Sequence, residues 1–232
     1  MAGVATLLAT PTLFASLGTG TLTITAPGLA HGDINGPYNV VSTPVTGPNL
    51  GNFETFCLAY TVDYYNGGKY NYNISTKVEP QYGNLGGTGL GYITLGTAWL
   101  YSQYRSGNVQ LTGYNDAIQE VIWYLQGQTS GANPSPTSAP DYSYILGLVN
   151  GAKGANVLND ADGAYNVYAL NLLIGDGTGY APAAPGDADG YAQPQLCMVP
   201  VPEPGTIIAG TLVLLPFGIS TFRILRKRKQ NQ

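Results

Sequence analysis

The sequence predicts an α+β fold: one strand-dominated domain with two or three short inserted helices, followed by a C-terminal transmembrane helix. Three observations predict it. Only 9% of the 232 residues are charged, while 32 are Gly, 16 Pro and 18 Tyr. That composition suits strands, tight turns and loops better than a helical bundle. Residues 53–65 alternate as a strand does, and Ile118, Val121, Ile122 and Leu125 recur at the spacing of one helical face. An apolar run near the C-terminus ends in a basic cluster.

Taken in order, the first thirty residues carry no charge, and residues 1–15 are apolar and Ala-rich. They predict a signal peptide without the usual basic start, cleaved near Ala15 or Ala30. The competing reading is a buried first strand, since residues 18–25 (GTGTLTIT) alternate. The exported body is then expected over residues 31–199. Residues 31–52, rich in Gly, Pro and Asn, read as a loop leading into the strand 53–65. In that strand Phe56, Leu58, Tyr60 and Val62 share one face, and Thr55, Cys57, Ala59 and Thr61 the other. Asn66-Gly67-Gly68 predicts a tight turn, and residues 69–78 the returning strand of a hairpin.

Helices are expected next. Residues 94–104 make the first, with Leu95, Ala98 and Tyr101 on one face. Asn115 or Asp116 caps the second, and Gly127 ends it. Residues 128–140 read as a loop, and Asp141 caps a third short helix reaching Val149. Residues 166–174 and 194–199 complete the body as strands, separated by a Gly-, Ala-, Pro- and Asp-rich stretch.

Charge narrows the function classes. The net charge is −4, but five of the nine basic residues lie in the last ten positions. Between His31 and Val199 there are four basic and twelve acidic residues. A body this acidic argues against nucleic acid as a partner, which requires cationic charge against phosphate. His31 is the chain's single histidine, which disfavours a Ser-His-Asp triad or a His-based metal site. No cofactor or metal is expected. The Asp160-Ala-Asp162-Gly and Asp187-Ala-Asp189-Gly tetrapeptides do not extend into a calcium loop and read as acidic turns.

The tail reads Val201-Pro202-Glu203-Pro204-Gly205-Thr206, then a mostly apolar run over residues 206–222, then Arg223, Arg226, Lys227, Arg228 and Lys229. Seventeen residues are at the short end for a bilayer helix. The basic cluster would act as a membrane stop on the cytoplasmic side. This three-part order resembles the PEP-CTERM sorting signal of bacterial exported proteins, over roughly residues 200–229, with Pro202, Glu203 and Pro204 at the motif positions. The resemblance implies a Gram-negative envelope protein, held in the inner membrane, recognised and processed by an exosortase, and then placed at the cell surface or released. The motif is a substrate in that family, so its residues are not catalytic.

Two further segments, Phe56-Cys57-Leu58 and Ile118-Gln119-Glu120-Val121-Ile122-Trp123, resemble the signature of bacterial thioester domains of surface adhesins. Ile118 and Val121 stand where such domains commonly carry Thr and Ala. The resemblance implies that the Cys57 sulfur attacks the Gln119 amide and expels ammonia. The stored acyl group would then capture a surface amine, hydroxyl or polysaccharide. Proximity must lower the barrier, because an amide is a poor electrophile. An apolar surround, expected from Phe56, Trp99, Tyr101 and Trp123, would exclude water.

Other readings stand beside this one. Two cysteines in an exported chain suit a Cys57–Cys197 disulfide, and Cys57 also suits a small buried apolar position. The function read from these features is a non-enzymatic envelope protein that mediates attachment, with a noncovalent structural or exopolysaccharide-associated matrix protein as the alternative. A hydrolase would need a facing carboxylate pair, which no segment identifies.

Overall fold

In the computed structural model, residues 17–26, 36–60, 66–78, 91–128, 139–174 and 191–200 are described. Residues 1–16 and 27–30 of the predicted signal region, His31, Tyr64, Tyr65, Asp187, Asp189 and the whole tail from Val201, with its sorting motif, apolar run and basic stop, lie outside them. No helix among the described residues is long and apolar enough to cross a membrane. The chain divides into two compact units, Met1–Val199 and Pro200–Gln232.

The first unit mixes helix and strand. Six strands, β1 (Gly18–Thr25), β2 (Tyr38–Thr46), β3 (Asn52–Thr55), β4 (Lys69–Ser75), β5 (Val167–Leu173) and β6 (Tyr191–Met198), form one antiparallel sheet in the order β3-β2-β1-β4-β5-β6. The sheet curls until its ends meet. Just past β3, Cys57 bridges Gln195 of β6, Leu58 N–H donates to the Pro194 carbonyl at 2.9 Å, and Leu196 N–H donates to the Phe56 carbonyl at 3.1 Å. This seam covers edges that would otherwise present unpaired backbone. The Thr55 hydroxyl tightens it by donating to the Leu196 carbonyl at 2.6 Å and accepting from Leu196 N–H at 3.1 Å.

Alternation assigns the residues to two cores. Leu22, Ile24, Tyr38, Val40, Phe53, Tyr70, Tyr72, Ile74, Leu170 and Leu172 point inside the curl, together with Cys57, Trp123 and Cys197. Gly20 leaves room for a large inward ring: a Cβ there would stand 2.7 Å from the Tyr72 hydroxyl. On the outer face, Phe56, Leu58, Val167, Ala169 and Leu196 pack against the helices.

The helices α1 (Leu95–Arg105), α2 (Asn115–Leu125) and α3 (Ala139–Lys153) are inserted between β4 and β5 and pack on one another. Thr94 caps α1 by accepting from Thr97 N–H at 3.3 Å. Ile118, Val121, Ile122 and Leu125 of α2 are all buried, as their spacing requires. The cap of α2 is Tyr114, without a side-chain bond, instead of Asn115 or Asp116. Gly127 follows with φ of 70°, a conformation that suits glycine at a helix end.

Three expectations are corrected. The stretch read as a loop, residues 31–52, contains the nine-residue strand β2. Its alternation is hidden because only Tyr38 and Val40 of the strand are buried, and because it contains Pro44. That proline is tolerated beside a bulge, beyond the four residues that pair with β3. Residues 18–25 form β1, which lies between β2 and β4, so the body begins before residue 31 and a cut at Ala30 would remove an interior strand. Residues 69–75 return as β4, but they pair with β1 and β5 and make no hairpin with β3.

Candidate functional site

The seam builds a site around Cys57. Leu58 N–H and Leu196 N–H bond to the carbonyls flanking the Cys57–Gln195 pair, which makes it a non-hydrogen-bonded antiparallel pair. Side chains approach most closely in such pairs. The Cys57 N–H and C=O therefore point away from β6. The β2–β3 register, continued by two residues, would set Gly36 opposite Cys57.

Gln119 occupies that place instead. Cys57 N–H donates to Gln119 Oε1 at 2.8 Å, and Gln119 Nε2 donates to the Cys57 carbonyl at 2.8 Å. A primary carboxamide carries the same donor and acceptor as a peptide group, so it continues the ladder where backbone does not. A Cβ on Gly36 would stand 3.3 Å from Gln119 Oε1 and 2.9 Å from the Phe56 ring. Glycine is what lets the side chain in.

The sulfur faces the other way. Cys57 Sγ donates to Gln193 Oε1 at 2.8 Å, closer than the larger sulfur atom ordinarily sits to oxygen. Gln195 Nε2 donates to the sulfur at 3.2 Å and to the Gln193 backbone carbonyl at 3.2 Å. Gln193 Nε2 donates to the Ala59 carbonyl at 2.8 Å. That bond and the thiol together orient the Gln193 carboxamide, oxygen toward sulfur and nitrogen toward Ala59. Cys57, Gln119, Gln193, Gln195 and Ala59 are all buried.

The sequence expectations about this site are thereby revised. Cys57 and Gln119 do meet, but Gln119 holds the cysteine backbone, and the carboxamides lying against the sulfur are those of Gln193, whose oxygen is nearest at 2.8 Å, and Gln195. The sequence offered a cue in the alternation of Gln193, Gln195 and Cys197 along the last strand, but nothing local to say which face met Cys57. Cys57 and Cys197 are both buried and are not joined to each other. The register places Thr55 opposite Cys197, so Cys57 is its diagonal neighbour, roughly 7–8 Å away. A disulfide needs Cα atoms about 4.4–6.8 Å apart. Burial pushes the Cys197 thiol well above its ordinary range. It stays protonated among Tyr72 and the inward apolar residues.

The expected apolar surround is split. Trp123 shares the inner core with Cys57, whereas Phe56, Trp99 and Tyr101 belong to the helix-side core. Tyr60 stacks edge-on against Trp123 with ring centroids 5.0 Å apart. The Trp123 indole N–H and the Tyr72 hydroxyl are buried without a hydrogen-bond partner among the described residues.

A separate open cleft of about 370 Å³ is lined by Glu54, Tyr104, Arg105, Asn108, Leu111 and Asn115, among others. Its carboxylate, Glu54, accepts from the Tyr104 hydroxyl at 2.6 Å. Asp160 and Asp162 form a local turn, with Asp162 N–H donating to Asp160 Oδ1 at 2.9 Å. Among the described residues no group of three acidic, His or Cys side chains could hold a metal ion.

Comparison of the chain with protein-family models, with curated proteins and with solved structures found no match.

Proposed function

We propose that this is an exported envelope protein, sorted through its C-terminal tail, whose body stores an activated acyl group as a thioester between Cys57 and Gln193 and uses it to attach covalently to a surface target. One observation carries the chemistry. A buried thiol lies 2.8 Å from the oxygen of a carboxamide that a second hydrogen bond holds in place. A cysteine serving only as a small apolar residue has no use for three buried glutamines around it.

The residues divide the work. Gln119 fixes the Cys57 backbone, and Ala59 fixes the Gln193 nitrogen. Gln195 donates to the sulfur, which favours charge developing there. In formation, the sulfur attacks Gln193 Cδ, a C–S bond replaces the C–N bond, and the thiol proton leaves with the nitrogen as ammonia. Holding the two groups in contact supplies the proximity that an unreactive amide requires. Burial keeps water from the product. Sorting rests on the resemblance of the Pro202-Glu203-Pro204 tail, and an exosortase is its partner in this reading. A noncovalent matrix protein is the second reading. The open cleft beside Glu54 and Tyr104 favours it, since aromatic, amide and carboxylate groups together suit a polysaccharide.

Intact mass of the purified body, before and after methylamine, separates the two. The thioester predicts a chain lighter by one ammonia, restored with added methylamine at Gln193, and unmodified in Cys57→Ala and Gln193→Ala. A full-mass protein that takes no amine would overturn it. An adduct mapped to Gln119 would return the reaction to the other carboxamide.

A further inference from the structure

We infer that the buried Ala59 carbonyl selects the nucleophile, so that the site takes primary amines and discriminates against secondary amines and hydroxyls. This rests on the Cys57–Gln193 thioester. The observation is the hydrogen bond from Gln193 Nε2 to the Ala59 carbonyl at 2.8 Å. The nitrogen that must leave as ammonia is the one this carbonyl holds. Once it has gone, the Ala59 oxygen remains buried and has lost that donor, since the thioester carries none.

Capture runs along the same path in reverse. An incoming amine attacks Gln193 Cδ, a C–N bond forms, the C–S bond breaks, and one amine proton returns to the Cys57 sulfur. A primary amine gives a secondary amide, which still carries one N–H to donate to Ala59. A secondary amine gives an amide with no N–H, and a hydroxyl gives an ester with none. Both leave the buried Ala59 acceptor without the donor that Gln193 supplied, which is costly. Ala59 is 1% exposed, whereas the next residue, Tyr60, is 43% exposed. The same carbonyl therefore orients the amide during formation and reads the nucleophile during capture.

The test uses the purified thioester-bearing protein and a simple alkyl thioester in the same buffer. Adduct formation with methylamine, isopropylamine and dimethylamine is followed by intact mass. The methylamine-to-dimethylamine rate ratio on the protein should exceed that on the simple thioester by about tenfold or more. Isopropylamine, bulkier but primary, should side with methylamine. Equal ratios on protein and simple thioester would sink the inference while leaving the thioester intact. So would rejection of isopropylamine to the same degree as dimethylamine, because size would then explain the preference. A full-mass protein inert to all three amines would remove the thioester itself and this inference with it.

Discussion

Gln119 and Cys57 meet through two hydrogen bonds of 2.8 Å, one in each direction, that satisfy the cysteine's backbone and leave its sulfur turned toward β6. A helix thus supplies the missing rung of a sheet. Gln119, expected as the acyl donor, instead holds the cysteine backbone, and the sulfur faces Gln193 and Gln195.

Gln119→Ala should therefore damage the fold as well as the chemistry. It strips partners from the N–H and C=O of a buried residue, at about 1–3 kcal/mol for each group left unsatisfied. Denaturant unfolding should show a loss of at least about 2 kcal/mol. Gln119→Glu should not rescue it, because a carboxylate can accept from Cys57 N–H but cannot donate to the Cys57 carbonyl.

Gln195→Ala should leave the protein folded and slow thioester formation. Its Nε2 donates to the sulfur and to the Gln193 backbone carbonyl, whereas the bond from Gln193 Nε2 to the Ala59 carbonyl does not involve it. The mass-resolved rate of ammonia loss after folding should fall by about tenfold, the value of one hydrogen bond of roughly 1.4 kcal/mol at a developing charge. An unchanged rate would assign Gln195 to packing alone.

The seam can be tested at Thr55. Thr55→Val keeps the shape and removes the hydroxyl that bonds both the N–H and C=O of Leu196. Hydrogen exchange should rise first at the amides of Leu58 and Leu196, with a stability loss of about 1–3 kcal/mol. A uniform loss of protection would show that the seam opens only with the whole domain.

Tyr72→Phe should move the other way. The Tyr72 hydroxyl is buried with no partner among the described residues, and burial holds its ionisation above the ordinary range. Removing an unsatisfied hydroxyl while keeping the ring should stabilise the domain by about 1 kcal/mol, seen as a higher midpoint in denaturant. A destabilised variant would mean that the hydroxyl has a partner in solution.

Alkaline pH should unfold the domain progressively. The Cys197 thiol is pushed up from an ordinary 9.0 and Tyr101 from 10.0, in both cases chiefly by burial, and Tyr142 is pushed up to about 12. These groups lose protons more readily in the unfolded chain, so their contribution to stability is constant below pH 9 and falls as pH rises above it. Each group that ionises only on unfolding contributes about 1.4 kcal/mol per pH unit. The Tyr142 share ends near pH 12. Cys197→Ala should move the onset of the fall from about 9 to about 10, measured by denaturant midpoints across the range.

The sequence by itself determined the elements whose period is undisturbed and whose one face is uniformly buried. The stripe Ile118, Val121, Ile122 and Leu125 defined α2, the alternation through Phe56, Cys57 and Leu58 set the thiol and its neighbours on opposite faces, and residues 166–174 contained β5. The resemblance to thioester domains is what paired Cys57 with Gln119. Only the tertiary structure decided how that pair meets. β2 escaped notice because its outer half is exposed and interrupted by Pro44, which erases the local signal. The strand order, and with it the pairing of β4 with β1 and β5, depends on contacts distant in the chain. Which carboxamides face the sulfur, those of Gln193 and Gln195, depends on the closure of the sheet. A non-hydrogen-bonded pair between Cys57 and Gln195 turns the sulfur toward one neighbour and the backbone toward the other, and no local pattern encodes where two ends of a curled sheet will meet.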